Sequence, residues 1–182
     1  VLLWTSIGVA VNAQSFNSYK PDSLKKEQIH ESVKHYRYVY NSVPWNINVV
    51  EVDLTDNRIS FSTVKGLDKI SQSREKLSQI VNRKNEAGAK VLAAINADFF
   101  YSDGNILNNQ ISNGEFVKGI YSKKSQFAVS YSNKPSIEVY NFLADLKTKN
   151  NKEIFIDACN VKRGVDSIVV FNHYWGKTTN TR

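Results

Sequence analysis

The sequence predicts an α+β domain, largely antiparallel sheet with a few flanking helices. Strand-like runs separated by turn residues recur along the 182 residues, whereas helical patterning is confined to two stretches. There is no regular strand–helix–strand alternation and no repeat at a fixed period, which argues against a parallel sheet or a solenoid. The length suits one domain with a real core and hardly two.

Val1-Leu-Leu-Trp-Thr-Ser-Ile-Gly-Val-Ala-Val11 is an apolar run followed by Asn12-Ala13 and Gln14. This is the pattern of a partial secretory signal, residues 1–13, lacking its charged start. A membrane span needs about 20 apolar residues and this run has about half that. The expected setting is therefore secreted or periplasmic, at the cell envelope, with no membrane span in the mature chain. The chain has no Met and stops at Asn180-Thr181-Arg182 directly after a strand-like run, so the expectation is a truncated domain.

Residues 14–40 read as a linker, about Ser15 to Ser23, and an entry helix over 24–40 that ends in Tyr36, Tyr38 and Tyr40. The net charge is +7, but the densest basic stretch (Lys25, Lys26, Lys34, Arg37) is interleaved with Glu27 and Glu31. That fits a solvated helix face, and no nucleic-acid partner is expected.

Residues 41–182 are read as the domain itself. After Pro44, Trp45–Leu54 alternates as a strand, Asp56-Asn57 supplies turn chemistry, and Arg58–Val64 alternates again, so the two runs are expected to pair as a hairpin. A helix follows, with Ser73 as cap, Glu75 in its first turn, a stripe of Leu77, Ile80, Val81 and Ala87, and Gly88 at a left-handed C-terminus. Lys90–Asn96 has the length of a buried strand. Further strands are expected over Gln126–Ser132, Ile137–Leu146, Ile154–Ala158 and Ile168–Phe171.

Within "AAINADFF", residues 93–100, two polar side chains interrupt an apolar run. If 91–98 is extended, Asn96 and Asp98 share one face while Ile95, Ala97 and Phe99 share the other. A strand end opening into the loop Tyr101-Ser-Asp-Gly-Asn105 is where a rigid scaffold holds reactive groups. The competing role is local: Asp98 caps the following turn and Asn96 bonds nearby backbone. Spacing alone favours the local role slightly. Downstream, Asn113-Gly114 between strand-like runs is a hairpin signal. That hairpin would fold Asn108, Gln110 and Ser112 back over the loop after Asp98.

Other chemistries find little footing. His30, His35 and His173 show no metal-ligand spacing. No cofactor is expected; calcium is the divalent cation with oxygen groups at hand, in Asp98, Asp103 and Asn105, although their spacing matches no known loop template. There is no Gly-rich phosphate loop after a strand and no G-x-S-x-G. Cys159, alone, reads as a small buried hydrophobe.

Taken together, Ala93-Ala-Ile-Asn96-Ala-Asp98-Phe99-Phe100, then Gly104 and Ile111-Ser-Asn113-Gly114-Glu115, resemble the phosphodiester glycosidase family and its secreted bacterial members. The Trp45–Leu54 strand and the Val161-Lys-Arg163-Gly164 turn are similar too, so the likeness runs from about residue 45 to the end. It implies hydrolysis of a sugar-1-phosphodiester, a carbohydrate phosphodiester substrate, with release of a sugar such as N-acetylglucosamine. On that resemblance Asp98 would be base or charge stabiliser and Asn96 would orient sugar or water. Asn113, Gly114 and Arg163 would bind substrate, Arg163 facing the phosphate. Members usually continue with an Arg-Thr strand, an Asp-Gly-Arg turn and a D-G-G-x-S segment. None occurs before Arg182, so the chain is expected to be the N-terminal part of such a domain and to be inactive as it stands if those segments are required. The alternative is a non-catalytic secreted carbohydrate- or envelope-binding protein on the same scaffold.

Overall fold

A computed structural model describes residues 20–179. The expected signal, 1–13, and the start of the linker lie outside the described residues. The fold is α+β and largely antiparallel sheet, in two compact units that divide after Ile59.

In the first unit, β1 (Ser23–His30), β2 (Val33–Tyr40) and β3 (Trp45–Val52) form an antiparallel meander in the order β1-β2-β3. This corrects the entry helix expected over 24–40. Lys, Glu and Gln favour helix only weakly. Here Tyr36, Tyr38 and Tyr40 recur at a period of two and pair across the sheet with Val49, Ile47 and Trp45. Cross-strand packing outweighs the local preference. The basic residues lie on strands, not on a helix, with Lys34 bonded to Glu51 at 2.8 Å.

The expected hairpin between 45–54 and 58–64 is also corrected: β3 pairs with β2, and Arg58–Val64 contains no strand. Asp53 accepts from the Thr55 backbone N–H and Asp56 from that of Arg58, both at 2.9 Å. The Arg58 guanidinium holds Asp56 and reaches Glu31 at 2.7 Å. These side-chain turns offer the backbone an alternative to a ladder.

Among the described residues, the second unit has one α-helix, α1 (Leu77–Glu86), four short strand pairs and two isolated bridges. The pairs are β4 (Gln110–Ser112) with β5 (Glu115–Lys118), β6 (Gln126–Val129) with β7 (Pro135–Glu138), and β8 (Ala144–Lys147) with β9 (Glu153–Ile156), all antiparallel. β10 (Ala158–Cys159) and β11 (Val169–Val170) pair in parallel. Helix α1 begins later than expected, after Lys76, whose N–H donates to the Gln79 side chain at 3.0 Å. Ser73 is not its cap. Gly88 does take the left-handed conformation expected of it, at φ +93°.

The core is small: Ile70, Ile106, Val117 and Tyr174, with Trp175 packed against it. Strands this short leave many backbone groups without ladder partners, and asparagine side chains take their place. Asn109 accepts from the Ile120 N–H at 2.6 Å and donates to the Tyr140 carbonyl at 2.9 Å. Asn141 accepts from the Ser122 N–H at 2.7 Å. Asn160, fully buried, donates to the Val117 carbonyl at 3.0 Å and accepts from the Asn172 N–H at 3.0 Å.

Candidate functional site

Residues 91–98 do not form the buried strand expected of them. No sheet includes them, and Ile95 and Phe99 are 63% and 79% exposed. A buried strand needs partners for its backbone groups, and no neighbouring element of the described chain supplies a ladder here. The separation of polar and apolar faces inferred from an extended strand therefore fails, because both sides meet solvent.

Asp98 is held nonetheless. One carboxylate oxygen accepts from its neighbour Phe99's N–H at 2.8 Å and from the Asn108 amide at 3.0 Å, and the other accepts from the Asn108 backbone N–H at 3.1 Å. The segment between is closed as a loop. Leu107 N–H donates to the Phe99 carbonyl at 3.0 Å, Phe100 bridges to Ile106, and Tyr101 N–H reaches the Asn105 carbonyl at 2.8 Å. The local role of Asp98 is what the geometry displays, and Asn108 folds back onto the loop as the hairpin signal implies. Gln110 and Ser112 do not join it; Ser112 donates to the Thr63 carbonyl at 2.7 Å. Asn96 is exposed, and its side chain makes no hydrogen bond among the described residues.

Asn113 and Gly114 occupy the turn between β4 and β5, both with positive φ (+51° and +82°), as the Asn-Gly signal requires. Arg163 is exposed in its turn. Among the described residues, no hydrogen bond or ion pair joins Asp98, Asn96, Asn113, Gly114 and Arg163 to one another. Nor does any group of three or more His, Cys, Asp or Glu stand ready to hold a metal ion.

What the loop does gather are two lysines that the sequence reading passed over. Lys65 and Lys118 are only 5% and 7% exposed. Lys65 Nζ donates to the Gly104 carbonyl at 2.7 Å and to the Ser73 hydroxyl. Lys118 Nζ donates to the Ile106 carbonyl and lies 3.4 Å from the Asn105 side-chain oxygen. Burial pushes both ammonium groups below the ordinary lysine range. Asp103 opposes this for both, and Asp98 also for Lys118. A signal was present in the sequence: Val64-Lys65-Gly66 and Val117-Lys118-Gly119 repeat one triplet, a lysine set against a buried chain and a glycine.

Gly104 is closely enclosed in this packing. It has φ +87°, and a Cβ there would stand 2.8 Å from the Ser73 hydroxyl oxygen. Gly104→Ala is expected to cost roughly 1–3 kcal/mol, measured by urea denaturation. The same substitution at Gly88, also left-handed but with open space around it, should cost less.

The lysines also set a pH dependence. A group whose pKa is lower folded than unfolded binds more protons in the unfolded chain, so stability rises with pH up to the unfolded value. The stability difference between the protein and its Lys65→Met/Lys118→Met variant should therefore shift in favour of the protein as pH climbs from 7 toward about 10.4. Urea midpoints across that range check it, and a difference that stays flat would contradict the assignment.

The structure thus defines an α+β antiparallel protein with a carboxylate-anchored loop over two buried lysines. Comparison of the chain with protein-family models, with curated proteins and with solved structures finds no match to any of them. No helix among the described residues is long and apolar enough to cross a membrane.

Proposed function

We propose that the protein hydrolyses a sugar-1-phosphodiester, with Asp98 as the carboxylate that activates water or stabilises developing positive charge at the anomeric carbon. The observation that carries this reading is the placement of Asp98. Its carboxylate is fixed by three hydrogen bonds at the mouth of a glycine-containing loop, next to an uncommitted Asn96. Phosphate is a good leaving group, so such a reaction asks little of a general acid. It needs a base, charge stabilisation and donors to the phosphate oxygens. The setting proposed is secreted or periplasmic.

A second reading has its own support. All three contacts of Asp98 are to its own loop, which suits a brace in a non-catalytic carbohydrate- or envelope-binding protein as well as a reactive group. The test is release of free N-acetylglucosamine from its 1-phosphodiesters by the purified protein and by any longer chain that contains it. Turnover by either supports the hydrolase. Sugar binding without turnover in both supports the binding protein.

A further inference from the structure

We propose that Lys65 and Lys118 form a binding site for a tetrahedral oxyanion, inorganic phosphate or a phosphate ester. Two ammonium groups from separate parts of the chain converge on one short segment, Gly104–Ile106. Buried charges are ordinarily paired with opposite charge, because desolvation without compensation costs several kcal/mol. Here neither lysine takes part in an ion pair among the described residues. All four oxygens they touch are neutral: a hydroxyl, two backbone carbonyls and a side-chain amide.

The donor count points the same way. An ammonium group carries three N–H donors. Lys65 uses two, and Lys118 uses one well and one at 3.4 Å. Donor capacity remains on both. A metal cation would be repelled by such a pair, and a neutral sugar would supply no counter-charge. A tetrahedral anion has several acceptor oxygens diverging from one centre, which suits two point-charge donors approaching from different elements.

Asp98 and Asp103 are the carboxylates whose fields reach these lysines, and Asp103 is exposed on the same loop. Asp103 therefore competes with an incoming anion. Its neighbours Tyr101 and Ser102 are exposed as well, so the outer side of the loop meets solvent, while Gly104 and Ile106, which the ammonium groups touch, are buried. The proposal does not depend on the hydrolase reading, since a binding protein would use the same site.

The test needs no turnover. With lysine Cε carbons labelled, the NMR resonances of Lys65 and Lys118 are followed during titration with sodium phosphate, against sodium chloride at matched ionic strength and pH 7. The expected result is that both resonances move together, saturably and with one midpoint, in phosphate only. Lys65→Met and Lys118→Met should each weaken binding roughly ten-fold or more, and Asp103→Asn should tighten it. The proposal is overturned if the two resonances stay fixed, if they drift in proportion to concentration like those of exposed lysines, or if folded Met variants bind as well as the parent. Where a Met variant does not fold, the titration of the unaltered protein decides alone.

Discussion

Replacing Asp98 by Asn is expected to lower hydrolysis of a sugar-1-phosphodiester by roughly 10²–10⁴-fold per folded molecule, provided that the proposed activity is present. The substitution is not silent for the fold. Both carboxylate oxygens accept hydrogen bonds, including the Asn108 backbone N–H and the Asn108 amide, and an Asn side chain offers only one oxygen. One Asn108 donor must then face an amide NH₂ or turn to water, a loss of about 1–3 kcal/mol. Activity therefore has to be normalised to the folded fraction. Asn108→Ala supplies the control, because it removes part of the brace and leaves the carboxylate in place. A reactive Asp98 predicts that Asp98→Asn abolishes nearly all turnover while Asn108→Ala, at similar cost in stability, keeps most of it. If the two variants lose turnover in parallel with stability alone, Asp98 is a brace and the hydrolase reading loses its base.

The largest purely structural effect is expected at Asn160. This side chain is completely buried and ties three stretches together, with hydrogen bonds to the Val117 carbonyl, the Asn172 N–H and the Asn172 side chain. It also sits at φ +53°, a conformation that Asn tolerates better than most residues. Asn160→Ala strands a buried carbonyl and a partly buried N–H and keeps an unfavourable backbone, so a loss of about 3–5 kcal/mol is expected. Asn160→Gly separates the two contributions by relieving the backbone and not the hydrogen bonds. It should recover about 1 kcal/mol of that loss. Melting temperature and urea midpoint report both, and an Ala variant within 1 kcal/mol of the parent would show that other groups or water replace the network.

Much of the sheet was legible because it depends on local rules. The Asn113-Gly114 turn is one case, since its two positive φ values admit few other residue pairs. Gly88 at the helix end is another, and the antiparallel character of the domain follows from short runs joined by turns. The entry helix was misread because Lys, Glu and Gln between 24 and 34 carry a weak helical preference, and only pairing with Trp45–Val52, distant in sequence, reverses it. Residues 91–98 failed in the opposite sense: an apolar run announces burial, but burial also needs a partner. For the candidate site, Asp98 and its loop could be found from spacing, and so could the return of Asn108. Lys65 and Lys118 left only the repeated Val-Lys-Gly triplet, which does not by itself announce burial. A lysine is read as a surface residue unless something names the atoms that will enclose it, and those atoms come from Ser73 and from Gly104–Ile106.

The exposed aromatic run Phe99-Phe100-Tyr101, together with Ile95, has a consequence for how the protein behaves in a tube. A patch of that kind is sticky, and at neutral pH what keeps copies apart is mutual repulsion from a formal charge of +7. Repulsion of that sort weakens as dissolved salt shortens its range to about 8 Å at physiological strength. Apolar attraction is not weakened in the same way, and sulfate or phosphate salts strengthen it. Dilute buffers favour dispersed molecules, and concentrated sulfate favours clumping well before the fold itself is threatened.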